Sequence, residues 1–229
     1  KPCADWSILA ANQGVADRDV SLLGYARQVA IRGMSALGVA PYLNIGRLLT
    51  AGVEEMESLR LLRQRMVHYR QSEAVNPKPL SFGVFGPPGA GKSFGVKERA
   101  NGIFGTGKGD YEGWMEFNLS QFKDDTDLIG ALHQVRDCRL RGLVPVVFWD
   151  EFDSGNFKWL QYLLAPMQDG KFQEGQITHP IGKSIFIFAG ATSSSFECFG
   201  PREDDIEEYR KFKLAKGPDF KSRLDASLN

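Results

Sequence analysis

Soft metal ligands are sparse: three cysteines and three histidines in 229 residues. Cys3, Cys138 and Cys198 are odd in number and far apart, with no C-x-x-C pair and no Cys/His ligand spacing. That argues against a disulfide framework and against a zinc site, and a reducing, cytoplasmic compartment is the expectation. His68, His133 and His179 share no spacing with one another or with the carboxylates, so core or surface roles are expected for them. Charge of one sign is also missing. Lys+Arg and Asp+Glu both number 28, leaving no overall electrostatic footprint for DNA or RNA. Residues 1 to 79 hold 10 basic and 7 acidic side chains, with 18 and 21 in the rest, so charge does not separate by region either. No apolar run approaches the roughly 18 residues of a membrane span, and the N-terminus lacks a signal-peptide layout. There is no internal repeat, no low-complexity tract, and no Ser-His-Asp or Cys-His arrangement. The chain starts at Lys1 rather than Met, and a processed or excised chain is expected.

The length suffices for one large domain or two small ones. Residues 1 to 75 read as mostly helical. Leu23, Ala26, Val29, Ala30, Met34 and Leu37 recur at helical intervals, interrupted by Gly24 and Gly33. Val53, Met56, Leu59, Leu62, Met66 and Tyr69 line one side of a second helix. In it Glu54, Glu55 and Glu57 come first and Arg63, Arg65 and Arg70 later, the order the helix dipole favours. Asn76-Pro77-Lys78-Pro79 then breaks the helix. Beyond it the texture changes. "LSFGVF" (80–85), "YEGWMEFN" (111–118), "VPVVFWD" (144–150) and "SIFIFAGAT" (184–192) read as strands, with helices over 92–101, 125–141 and 156–168. Such alternation predicts an α/β fold with a mainly parallel sheet and helices on both faces.

Gly86-Pro87-Pro88-Gly89-Ala90-Gly91-Lys92-Ser93 is a full match to G-x-x-x-x-G-K-[ST], between an apolar strand and a helix. Glycines let backbone N–H groups converge on phosphate oxygens, Lys92 places a charge near the β and γ phosphates, and the Ser93 hydroxyl is a ligand for Mg²⁺. The helix adds its positive N-terminal end, and Phe94 completes the binding stretch. Hydrolysis further needs a metal anchor and a way to orient water. "VPVVFWDEFDS" supplies both: Asp150, at the end of a buried strand, to hold Mg²⁺ through water, and Glu151 as general base. Asp153 reads as solvated or structural. Trp114, Trp149 and Trp159 read as core residues.

This loop, with a hydrophobic strand ending in Asp-Glu, resembles the core of an AAA+ ATPase. "DEFDSGNFKWLQYLLAPMQDGKFQEGQ" is similar to the Clp-type branch, in which that strand leads to a helix and an Asp-Gly-containing hairpin. The resemblance covers about residues 50 to 229. It implies a P-loop NTPase three-layer αβα sandwich over 51–229, preceded by a helical N-terminal extension over 1–50. That extension resembles no named family, and an adaptor or a packing extension fits it. The resemblance implies ATP rather than GTP, and a polar sensor for the γ-phosphate at Thr192 or Ser193, where the family more often has Asn. "GPDFKSRLDASLN" is similar to the family segment whose Arg reaches the nucleotide of a neighbouring subunit. Arg223 is then the implied arginine finger, with Arg202 a weaker rival, and a homo-oligomer, as a ring or partial ring through the Arg223 face, is the implied assembly. Asn118 stands where many relatives hold the catalytic Glu inactive; a strand-end Asn satisfying a turn accounts for it equally.

Two departures bear on function. Clp-type unfoldases grip polypeptide with a Gly-aromatic-Gly loop, whereas "SQFKDDTDLIGALHQVRD" passes directly into a helix. The sequence also stops at Asn229, where the family continues into a helical lid, so weaker nucleotide affinity and poor turnover are expected of this chain. A remodelling ATPase and a nucleotide-dependent signalling or scaffold switch both remain open. A phosphotransferase fits less well, having no need to activate water. The client is not named by the sequence.

Overall fold

The computed structural model describes residues 22–33, 36, 42–50, 53–73, 77–86, 89, 91–107, 109–190, 193, 195–201 and 204–228. The chain divides into two compact units, Lys1–Glu57 and Ser58–Asn229. In the first, helix α1 (Leu22–Arg32) meets the helical expectation, and an antiparallel hairpin follows, β1 (Leu43–Ile45) and β2 (Leu48–Thr50). The hairpin turns on Gly46, whose φ of 56° suits a two-residue connection. The sequence reading offered only helix here, because three-residue strands are too short to show a period of two. Helix α2 (Val53–Gln71) follows.

The second unit is built on a five-stranded sheet of β3 (Leu80–Val84), β4 (Trp114–Asn118), β5 (Val146–Asp150), β8 (Ile185–Ala189) and β9 (Ala226–Leu228), in the order β4-β5-β8-β3-β9. Every pairing is parallel. Around it run α3 (Lys92–Phe104), α4 (Asp125–Leu140), α5 (Leu160–Asp169), α6 (Ile206–Leu214) and α7 (Gly217–Ser222), with a separate hairpin of β6 (Lys171–Glu174) and β7 (Ile177–Pro180).

Burial on both faces explains the unbroken apolar runs of β5 and β8. Alternate residues feed two cores. Val147, Trp149, Phe186 and Phe188 join Leu128, Leu132 and Val135 of α4 and Leu160, Leu163 and Met167 of α5. Val146, Phe148, Ile185 and Ile187 join Leu62 and Met66 of α2 and Val96 and Ala100 of α3. The result is the αβα sandwich of a P-loop NTPase.

Asp169-Gly170 ends α5, with Gly170 left-handed at φ 62°, and the hairpin proper turns five residues later at Gly175-Gln176. The last strand, β9, was not read from the sequence: "ASL" is three residues long and carries no periodicity of its own. Ahead of it, Phe220 is fully buried and stacks on Phe152 with centroids 5.3 Å apart, anchoring α7.

Tyr69 ties α2 to the start of the sheet. Its hydroxyl donates to the Lys78 carbonyl (2.7 Å) and accepts from the Ser184 N–H (3.2 Å). Burial, the largest cause, pushes its pKa up to about 12 from the ordinary tyrosine value of 10.0. A raised folded-state pKa means stability that is complete below the unfolded value and lost as pH rises through the folded one. Tyr69 should therefore contribute ~2–3 kcal/mol of destabilisation as pH rises through that interval. Urea unfolding across the interval should show this component in the wild type and lose it in Tyr69→Phe. An identical alkaline loss in the variant would contradict it.

Candidate nucleotide site

The sheet order dictates where the site lies. From β3 the chain crosses two strand positions to β4 at the far edge, then returns through β5 and β8 towards β3. In open parallel sheets such a reversal opens a crevice at the carboxyl ends of the strands. The loop after β3 and the acidic pair ending β5 both open there.

Gly86, Gly89 and Gly91 have φ of 128°, 77° and 74°, a curvature that side chains with a Cβ resist. Pro87, Pro88 and Ala90 lie outside the described residues. Lys92 opens α3 and its Nζ donates to the Gly86 carbonyl at 2.6 Å, spanning the loop. No side chain caps α3 through Gly91, and its first turn holds no acidic residue, so its positive end faces the crevice unneutralised. Ser93 is half-buried in that turn and Phe94 is exposed.

Across β8, Asp150 ends β5 half-buried, and its Oδ1 accepts the Glu151 N–H at 3.1 Å. Burial is the main cause raising the Asp150 pKa. The charges of Glu151 and Asp153 act the same way, while the Glu151 N–H and the Lys92 ammonium oppose them. Glu151 holds a left-handed backbone, φ 52°, a strained conformation for a residue with a side chain. Asp153, expected to be solvated or structural, is buried. Its carboxylate lies against Gly190 at the end of β8, where an added Cβ would be 3.1 Å from Oδ2.

Because folding raises the Asp150 pKa, it favours the protonated acid: the contribution is favourable below the ordinary aspartate value and is lost as pH rises through the folded-state value. Without Mg²⁺, Asp150→Asn should melt at or above the wild-type temperature at neutral pH, with the gap closing as pH falls into the ordinary aspartate range. Thermal melts against pH check this; a variant less stable at neutral pH would contradict it.

Asn118 stands in register with Asp150 on the neighbouring strand. Its Oδ1 accepts from the Ser120 N–H (2.9 Å) and hydroxyl (2.7 Å), capping a 3-10 turn at Leu119–Gln121. Ser193 is buried and donates to the Cys198 carbonyl at 3.2 Å. Thr192 and Arg202 lie outside the described residues. Arg223 is not brought to the loop. The Asp225 N–H donates to the Ser81 carbonyl at 2.8 Å, so Arg223 lies towards the beginning of β3, a strand length from the loop that follows its end. Its Nε and Nη2 donate to Gln168 Oε1 at 2.8 and 2.6 Å, and its Nη1 to the Asp219 carbonyl at 2.7 Å.

One grouping escaped the sequence altogether. His133 of α4, Glu174 of β6 and His179 of β7 converge, although the histidines share no sequence spacing with the carboxylates and core or surface roles were expected for them. Two of them lie on a hairpin that folds back against the third, a proximity no linear spacing encodes.

Fold and loop together define a P-loop NTPase sandwich. No family model matches the sequence, and no curated protein matches it. Likeness emerges among solved structures. The chain is similar to Hsp104 of S. cerevisiae in its ADP complex, with a TM-score of 0.54 and 18% identity over 77% of this chain and 33% of that one. A looser likeness, TM-score 0.48 and 15% identity over 80% of this chain and 37% of the other, links it to NtrX of Brucella abortus in complex with ATP. The chain thus spans about a third of each of these proteins, and the Hsp104 likeness is one of fold, in keeping with the αβα sandwich. Among the described residues, no helix is long and apolar enough to cross a membrane.

Proposed function

We propose that this chain is the nucleotide-binding core of an AAA+ type ATPase, nearest in pattern to the Clp-type branch. It couples Mg²⁺-dependent ATP hydrolysis to conformational change in an oligomer that remodels a protein or nucleic-acid client. The observation that carries this reading is the Gly86–Ser93 loop opening onto the same crevice as the Asp150-Glu151 pair. The loop amides, the α3 terminus and Lys92 hold the phosphates. A hydroxyl and a carboxylate are oxygen donors suited to a hard cation, so Ser93 and Asp150 would hold Mg²⁺, which neutralises charge developing on the phosphates. Glu151 takes the proton of the attacking water. Ser193 or Thr192 senses the γ-phosphate, and Arg223 serves the nucleotide of a neighbouring subunit.

A second reading, a signalling or scaffold switch with slow or no turnover, draws on one observation. Asn118 leads through the short turn directly into α4 at Asp125, leaving no Gly-aromatic-Gly loop in that segment. Acceleration of turnover by a client would favour the motor; ATP-dependent assembly without turnover would favour the switch.

Nucleotide binding is tested first, by calorimetric titration of ATP into wild type and Lys92→Ala. Removing a charged donor to the phosphates should weaken binding about 10- to 100-fold. Equal affinity in the two proteins would show that the loop is not the site.

A further inference from the structure

Away from the crevice, His133 Nε2 lies 2.9 Å from Glu174 Oε2, and His179 Nε2 lies 3.4 Å from the same oxygen. All three candidate donor atoms fall within 4.8 Å of one another. Around a tetrahedral ion with bonds of about 2.0–2.1 Å, donor atoms stand about 3.3 Å apart, so the two histidine–carboxylate separations are close to the edges of such a polyhedron. His179 Nε2 is buried and, beyond its 3.4 Å approach to Glu174, has no well-formed hydrogen bond. A buried polar nitrogen in that state calls for a partner, and this one is aimed at the carboxylate and the other imidazole.

We propose that His133, Glu174 and His179 form a binding site for a divalent transition-metal ion of the Zn²⁺ class. It fastens the β6–β7 hairpin to α4 and is independent of the nucleotide reading. Two neutral imidazoles and one carboxylate are the nitrogen and oxygen donors such an ion takes, and water fills the fourth position on the exposed Glu174 side. The imidazole rings are already held in place. His133 packs edge-on against Phe172 with centroids 4.9 Å apart, and His179 stacks on the same ring at 5.1 Å. Arg136 Nη1 stands 3.1 Å from His179 Nδ1. Metal on Nε2 puts the ring proton on Nδ1, so loading turns Arg136 wholly to Asp137, whose Oδ1 its Nε and Nη2 already hold at 3.1 and 3.0 Å.

The test uses the whole chain, stripped with chelator and titrated with Co²⁺ by visible absorption, then with Zn²⁺ by calorimetry. The wild type should take up one equivalent with the d–d bands of a four-coordinate ion. The His133→Ala/His179→Ala double variant should bind about 100-fold more weakly or worse, taking the loss known for outer-shell partners as a floor. Glu174→Gln, an isosteric change at an exposed position, should lose about tenfold or more with its circular dichroism unchanged. His68→Ala should bind as the wild type does. Zn²⁺ should raise the melting temperature of the wild type and of His68→Ala only. No uptake by folded wild type, or uptake undiminished in the double variant and in Glu174→Gln, would overturn the proposal and leave a hydrogen-bonded cluster.

Discussion

Arg223→Ala is expected to lower ATP turnover by about 10³-fold while leaving ATP binding by the dilute chain unchanged. The magnitude is that of a cation that stabilises charge on a transferring phosphoryl group. The selectivity comes from topology. β9 is parallel to β3, and Asp225 bonds to Ser81 near the start of that strand, so Arg223 stands at the end of the sheet away from the loop that follows Val84. A group so placed would reach a phosphate only on another chain. Its tethers to Gln168 and Asp219 give the control, since Gln168→Ala removes two of the three bonds the guanidinium donates without removing the cation. Turnover should survive Gln168→Ala far better than Arg223→Ala. Parallel losses would instead mean that the arginine merely braces α7 against α5.

The second large effect is expected at Glu151. Glu151→Gln preserves shape and removes the base, so turnover should fall about 10²- to 10⁴-fold while ATP affinity is retained or tightened. The backbone favours this assignment over a plain acidic turn. Glu151 keeps a left-handed φ of 52° directly after a regular strand, and such strain concentrates at functional sites. Single-turnover hydrolysis read beside equilibrium ATP binding separates the cases. Loss of binding along with turnover would assign Glu151 to holding the loop rather than to activating water.

The parts of the molecule that were legible in the sequence are those governed by local rules. Unbroken apolar runs announced β5 and β8, the change of texture after Pro79 announced the α/β unit, and the glycine spacing with Lys-Ser announced the left-handed turn that opens α3. What stayed hidden depended on distance. β9 exists because three residues find an open edge of β3, and β1–β2 is too short to display a period. Asp153 looked like one acid among three after β5, and only the approach of Gly190 shows why it is buried. His133, Glu174 and His179 meet because a hairpin folds back on α4. The Asp-Gly pair was visible but serves as a helix stop, a choice between two uses of the same turn chemistry that chain direction after Gly170 decides.

The most direct measurement is ATP turnover per subunit against protein concentration in Mg²⁺, for the wild type, Glu151→Gln and Arg223→Ala. The account predicts turnover that rises with concentration as subunits bring Arg223 to one another's nucleotide, and that collapses in both variants. Tight ATP binding with no turnover at any concentration, or turnover independent of concentration and indifferent to Arg223, would contradict it.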